Sequence, residues 1–203
     1  MPKHNEEFPD IGSNDMEIIP KHCEYLRGWL SAAEADKAFK ALLEEVDWKC
    51  PKIRMFGKWI DQPRLLDWQG DEPLEYRYSG HTLVAQPWHR AADAIRRRLE
   101  HTTGMRFNTA LLNYYRDGRD SMGWHSDDEP ELGKDPVIAS VSLGAARDFA
   151  VRGRIQAEEK YKLKLEHGSL LWMKAGFQQL YQHALPKRAQ AAPRINLTFR
   201  YII

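Results

Sequence analysis

Apolar residues return every three or four positions in the first half of the chain and every two in the second half. This change of period divides the sequence into a helical part and a strand-forming part. Ser31-Ala32-Ala33-Glu34 has the form of a capping box. Behind it Ala35, Ala38, Phe39, Leu42, Leu43 and Val46 keep helical spacing, which predicts an amphipathic helix over 32–46. A second helix is predicted from about Pro87, with Trp88, Ala91, Ala92, Ile95 and Leu99 on one face and Arg96-Arg97-Arg98 on the solvated side. After residue 105 the pattern predicts strands at 108–115, 137–143, 147–152, 160–165, 168–173 and 194–202. Asp117-Gly118, Gly133-Lys134-Asp135-Pro136 and His167-Gly168 supply turns between them. Helices followed by many short strands give an α+β order that is mostly β, and the spacing suits a sandwich or jelly roll. Residues 1–15 are acidic and without period and read as a flexible tail, leaving 16–203 as a single domain.

Composition narrows the class more than the function. A chain of 203 residues with 42% hydrophobic and 11% aromatic residues can bury a full core and is not disordered. No run of 18 apolar residues predicts a transmembrane helix, and the start lacks an apolar signal stretch. Cys23 and Cys50 make no disulfide framework, so a reduced, cytoplasmic protein is expected; a monomer is expected as well, though nothing in the cysteines bears on it. The net charge of +1 gives no hint of a nucleic-acid partner by itself. The first 20 residues, however, carry five acidic side chains against Lys3, which leaves the rest mildly basic.

The candidate chemistry begins at Trp124-His125-Ser126-Asp127-Asp128-Glu129. In extended chain, residues two apart point to one side, so His125 and Asp127 can present an imidazole and a carboxylate to one point. That is two thirds of the two-histidine, one-carboxylate face that leaves positions open on Fe(II). Downstream of it stand only His167 and His183. His167 precedes Gly168 at a turn and suits a capping role, so His183 is the expected third ligand. Near the end of the chain Arg194-Ile195-Asn196-Leu197-Thr198-Phe199-Arg200-Tyr201 alternates without a break. A solvated polar face would more often mix Lys, Glu and Ser. Two arginines flanking Asn and Thr make a donor-rich surface suited to a dicarboxylate. Asn113 and Tyr115 share one face of the strand leading towards His125 and add an amide and a phenol. No Ser-His-Asp or Cys-His arrangement is present, so no protein nucleophile is expected.

His-x-Asp, a distal His and Arg-x-Asn-x-Thr-x-Arg together resemble the AlkB family of Fe(II)/2-oxoglutarate dioxygenases, over about residues 50–203. The resemblance implies a double-stranded β-helix (a jelly roll) with helices supporting one sheet. It implies iron ligands His125, Asp127 and His183, with no catalytic residue beyond the iron site. It places Arg194 on the distal carboxylate of 2-oxoglutarate and Arg200 near the carboxylate that chelates iron, with Asn113, Tyr115, Asn196 and Thr198 completing the pocket. The activity implied is oxidative demethylation of N-alkylated bases in DNA or RNA, with release of succinate, carbon dioxide and formaldehyde.

Arg54-Met55-Phe56-Gly57-Lys58-Trp59, Gln62-Pro63-Arg64 and Tyr76-Arg77-Tyr78-Ser79-Gly80 are similar to a nucleotide-recognition lid in the branch of the second and third human AlkB homologues. The lid would span about 52–80. Phe56, with Met55 beside it and Gly57 and Lys58 at the hairpin tip, would fill the gap left by a flipped base. Tyr78, with Tyr76 and Arg77 beside it, would stack on that base opposite His125, and Asp128 and Glu129 would meet its edge. The segment between Arg147 and His167 is short for that branch, and Lys187-Arg188 is followed by Ala189-Gln190-Ala191-Ala192. A thinner grip on a second strand follows, which makes single-stranded substrates at least as suitable as duplex. A 2-oxoglutarate-dependent hydroxylase of protein or of a small molecule would share the core but lack the Phe56 wedge and the Tyr78 stacking partner.

Overall fold

The computed structural model describes residues 19–55, 58–71, 75–78, 81–156 and 158–203, and the backbone alone for 53–55, 58, 75–78 and 81–83. In chain order the strands and α-helices are β1 (Cys23–Leu26), α1 (Ala32–Glu45), β2 (Lys52–Met55), β3 (Lys58–Asp61), β4 (Leu65–Gly70), β5 (Glu75–Tyr78), β6 (His81–Val84) and α2 (Arg90–Thr103). They continue with β7 (Thr109–Tyr115), β8 (Met122–His125), β9 (Ile138–Gly144), β10 (Arg147–Gly153), β11 (Lys160–Leu165), β12 (Ser169–Met173), α3 (Phe177–Leu180), β13 (Tyr181–Leu185) and β14 (Arg194–Arg200).

One sheet has six strands in the order β1-β12-β9-β14-β7-β4 and a second has four in the order β11-β10-β13-β8. From β7 to β14 the chain passes repeatedly from one sheet to the other, so neighbours in space are rarely neighbours in sequence. This winding of antiparallel strands into two facing sheets is the expected jelly roll.

Period-two alternation decides what each face of the large sheet meets. Ala110 and Leu112 of β7, Ala139, Val141 and Leu143 of β9, and Ile195, Leu197 and Phe199 of β14 pack in one cluster with Leu42 of α1 and Ile95 and Leu99 of α2. The opposite faces of the same strands look towards the four-stranded sheet. There Leu111 and Ile138 join Phe149, Val151, Leu163, Leu165 and Met173 in a second cluster. The helices therefore hold one sheet rigid from outside while its inner face stays free for a site.

Ser31 caps α1 reciprocally: its hydroxyl accepts from the Glu34 N–H at 3.4 Å, and its own N–H donates to the Glu34 carboxylate at 2.8 Å. The second helix begins at Arg90 rather than near Pro87. His89 is its N-cap, with Nδ1 accepting from the Ala91 N–H at 3.2 Å, while the Trp88 indole donates to Asp71 at 2.8 Å. The last strand stops at Arg200, two residues before the expected end. Strands β1 and β8, of four residues each, are too short to carry a period, and β4 and β13 add to the expected strands. Within the expected lid β2 pairs with β3 as an antiparallel hairpin, and β5 at its end pairs with β6 just beyond it. Phe56, Gly57 and the 1–15 tail lie outside the described residues. Among the described residues no helix is long and apolar enough to cross a membrane.

At the turn after β7, the Gly118 carbonyl accepts from the Arg188 N–H at 2.7 Å. A Cβ at Gly118 would stand 2.4 Å from the Arg188 carbonyl oxygen, so only glycine fits this approach. The same loop ends on Asp120, which accepts from the Arg116 backbone at 2.9 Å and from its Nε at 2.8 Å and Nη2 at 2.9 Å. Burial opposes the Asp120 charge, but these bonds from Arg116 outweigh it and hold the carboxyl below its usual range. A depressed carboxylate contributes stability above its unfolded value, about 3.9, and loses it as pH falls through the lower folded value. Asp120→Asn should therefore melt below the wild type near neutral pH, and the gap should narrow as pH falls below about 3.9. A gap that stays constant across that range in thermal melts would contradict the role.

Candidate metal and cosubstrate site

The antiparallel pairing of β13 with β8 sets His183 directly opposite His125. Their ring centroids lie 4.2 Å apart at 68°. β8 ends at His125, so Asp127 follows on irregular chain just beyond the strand. One ligand atom from each of His125, Asp127 and His183 lies within 4.8 Å of the other two. Among the described residues no other group of three potential ligands comes together in this way. His167 sits in the turn between β11 and β12, where its Nδ1 accepts from the Gly144 N–H at 2.8 Å.

The protonation states suit a metal. His125 Nδ1 is 2.9 Å from the Gly123 carbonyl oxygen, which can only accept, so Nδ1 carries the hydrogen and Nε2 is left with its lone pair. His183 is 4% exposed and stacks on Phe149 at 5.1 Å. Burial, and then the neighbouring His125, push its pKa down to about 3, which keeps the imidazole neutral as ligation requires. Asp127 is 2% exposed, and burial works against its charge. Arg200, then His183 and His125, outweigh that and hold the carboxyl below its usual range. Arg200 Nη2 donates to Asp127 Oδ1 at 2.6 Å. Two imidazoles with one carboxylate on one face are the donor set of non-haem Fe(II) sites.

The floor of the cavity is the inner face of β14 and its neighbours. All seven β14 residues are buried, so the alternating polar face is enclosed rather than solvated. Register sets Arg194 opposite Tyr115 and Asn196 opposite Asn113 on β7, which explains why these four stand on one face. Arg194 is 1% exposed and donates from Nη2 to Ser142 at 3.0 Å. Its Nε and Nη1 are buried without a hydrogen-bond partner. Burial lowers its pKa to about 10; Tyr115 counters this, and Arg147 adds to the lowering. The Tyr115 ring lies 6.0 Å from the Arg194 guanidinium and 5.9 Å from that of Arg147. A buried guanidinium with two unspent donors fits a carboxylate ligand, because leaving such donors unmet is costly.

The remaining expected residues divide. Asn196 donates to Ser140 at 2.8 Å and to the Val141 carbonyl at 3.0 Å, and its oxygen accepts from Thr198 at 3.0 Å. Both residues line the cavity, yet their polar groups are engaged in the sheet itself. Asn113 accepts from Arg64 Nε at 2.7 Å. Asp128 is exposed and ion-paired with Arg154 at 2.8 Å. Glu129 precedes a short turn at Pro130–Leu132, and its buried Oε2 has no hydrogen-bond partner. Neither Asp128 nor Glu129 lines the cavity. Tyr76, Arg77 and Tyr78 belong to β5 and Lys58 opens β3, with only their backbones described.

Sequence reasoning missed Ser140 and Ser142, although they alternate with Ala139, Val141 and Leu143 and could have been found by the period used for β14. It placed Arg64 with the expected lid, whereas the structure buries it against Asn113, and it missed Gln178, for which no local signal exists. Gln178 is 1% exposed; its Oε1 accepts from the Asp127 N–H at 3.0 Å and lies 3.3 Å from His183 Nε2.

The sequence profile of the 2OG-Fe(II) oxygenase superfamily matches residues 22–200, and the chain belongs to that superfamily as an Fe(II)/2-oxoglutarate-dependent dioxygenase. Within it the chain is a member of the AlkB family, near ALKBH2 and ALKBH3. It is 43% identical over 182 residues to the DNA oxidative demethylase ALKBH2 of Mus musculus, which covers 84% of this chain and 76% of that protein. It is 40% identical over 194 residues to the alpha-ketoglutarate-dependent dioxygenase alkB homolog 3 of Homo sapiens, over 91% of this chain and 67% of that protein. The solved structure of OsALKBH1 shares the fold, with a TM-score of 0.61 at 15% identity over 91% of this chain and all of that one.

Proposed function

We propose that this enzyme oxidatively removes alkyl groups from the nitrogens of nucleic-acid bases, consuming 2-oxoglutarate and oxygen. The observation that carries the reading is the identity of about 40% to relatives named as ALKBH2 and ALKBH3, spread over most of the chain. In this reading His125, Asp127 and His183 hold Fe(II). The iron supplies, with 2-oxoglutarate and oxygen, the oxidising power to hydroxylate an N-methyl carbon, after which formaldehyde leaves.

The chain's own residues do the rest. The Gly123 carbonyl fixes the tautomer that offers His125 Nε2. Arg200 keeps Asp127 ionised in a buried site and fixes its Oδ1. Arg194 receives the distal carboxylate of 2-oxoglutarate on Nε and Nη1, and Tyr115 lies alongside. Asn196 and Thr198, bonded to each other and to β9, hold that floor rigid, so the cosubstrate meets a preformed surface. Phe149, Leu165 and Met173 line the cavity with apolar surface that excludes water.

We also assign the segment around 52–80 to substrate recognition. Phe56, Gly57 and Lys58 enter the strand, Tyr76, Arg77 and Tyr78 contact the base, and Asp128 and Glu129 stand at its edge. Cys23 and Cys50 are both unpaired, which suits a reducing, cytoplasmic setting, and the enzyme acts as a monomer in this reading.

Formaldehyde release from N-methylated oligonucleotides tests the proposal, with single-stranded DNA, duplex DNA and RNA compared. Release from at least the single-stranded substrates is expected. Succinate formation with methylated peptides or small molecules, and none with any oligonucleotide, would move the hydroxylase reading ahead.

A further inference from the structure

Asp127 poses a positioning problem that the strand ladder does not solve. β8 ends at His125, so no sheet hydrogen bond fixes the ligand two residues on. Three successive residues are instead tied to one short stretch of chain. Ser126 Oγ donates to the Tyr181 carbonyl at 2.9 Å. The Asp127 N–H donates to Gln178 Oε1 at 3.0 Å. Asp128 accepts from Arg154 Nη1 at 2.8 Å, and the same Nη1 donates to the Gln178 backbone carbonyl at 2.9 Å. That stretch is α3 and the start of β13, the strand that carries His183.

Gln178 is the centre of this arrangement. Its Oε1 has two lone pairs. That oxygen accepts from the Asp127 N–H and lies 3.3 Å from His183 Nε2, so one atom touches both ligand residues. Its amide nitrogen is spent on Met173 Sδ at 3.6 Å, which sets the rotation of the amide and keeps the oxygen towards the ligands. A leucine of similar length would fill the space and leave a buried N–H of Asp127 unmet.

We propose that α3 is a clamp for the metal centre and that Gln178 is its positioning residue, setting the spacing between Asp127 and His183. The inference rests on the metal reading of the His-Asp-His group and goes beyond it, because no ligand role is assigned to Gln178 itself. Partners of this kind around a metal change affinity by roughly 10–100-fold when removed.

The test is Co(II) binding to the metal-stripped full-length protein, followed by its visible absorption, with His183→Ala as the control that abolishes binding. Gln178→Leu should bind Co(II) at least tenfold more weakly, with altered visible bands. Gln178→Glu, which keeps an acceptor oxygen for the Asp127 N–H, should recover most of the affinity. A merely structural glutamine would lower the melting temperature of Gln178→Leu and leave Co(II) affinity and bands unmoved, and that result overturns the proposal. Failure of Gln178→Glu to outperform Gln178→Leu also overturns it. Should Gln178→Leu not fold, Ser126→Ala and Arg154→Leu remove the flanking ties, and each should weaken Co(II) binding several-fold. Wild-type affinity in both sinks the clamp. No Co(II) binding by the wild type would instead bring down the metal reading, and the clamp with it.

Discussion

Arg194→Leu is expected to raise the 2-oxoglutarate concentration for half-maximal turnover by more than about 100-fold. Removing one partner of a buried charge pair costs about 3–5 kcal/mol, and each 1.4 kcal/mol is about tenfold in affinity. The motive is a guanidinium 1% exposed whose Nε and Nη1 have no partner in the protein. Succinate formation measured against 2-oxoglutarate gives the number. Turnover at saturating cosubstrate should fall much less, because Arg194 is not among the metal-binding group. Arg194→Lys should restore little, since a single ammonium cannot grip a carboxylate in the two-pronged way a guanidinium does. An unchanged 2-oxoglutarate requirement in Arg194→Leu would remove the residue from the cosubstrate site.

Asp127→Ala should do two things at once. It removes one of three ligands, so Mn(II) or Co(II) binding should be lost. It also takes away the carboxylate that Arg200 Nη2 contacts at 2.6 Å, with both side chains under a tenth exposed. Breaking a buried pair in this way costs about 3–5 kcal/mol, a large share of the 5–15 kcal/mol typical of a whole domain. Denaturant unfolding of the metal-free protein should therefore show a much lower midpoint for the variant. A midpoint equal to wild type would mean that the Asp127–Arg200 contact contributes nothing net, and retained metal binding would displace Asp127 from the ligand set.

Much of this site is visible in the sequence because it lies on strands. The alternation of Arg194, Asn196, Thr198 and Arg200 with Ile195, Leu197 and Phe199 states both faces of β14, and the structure buries both. His125 and Asp127, two apart in sequence, converge although β8 ends at His125, because Gln178 accepts from the Asp127 N–H just beyond the strand. What the sequence hides is cross-strand register. That Asn196 would spend its amide on Ser140 and Val141 follows from the pairing of β14 with β9, which nothing local encodes. Arg64 and Gln178 reach their partners from irregular chain and a single helical turn, where there is no period to read. The start of α2 was misplaced by three residues because a histidine cap is a weaker signal than the proline two residues before it.

In the proposed function one cavity between the two sheets holds both the metal and the dicarboxylate. A crystal structure grown with Mn(II) and 2-oxoglutarate tests it most directly. Expected is one Mn(II) bound by His125 Nε2, the Asp127 carboxylate and His183, with the distal carboxylate of 2-oxoglutarate against Arg194 Nε and Nη1. A metal ligated by other residues, or a 2-oxoglutarate whose carboxylates leave Arg194 untouched, would contradict it.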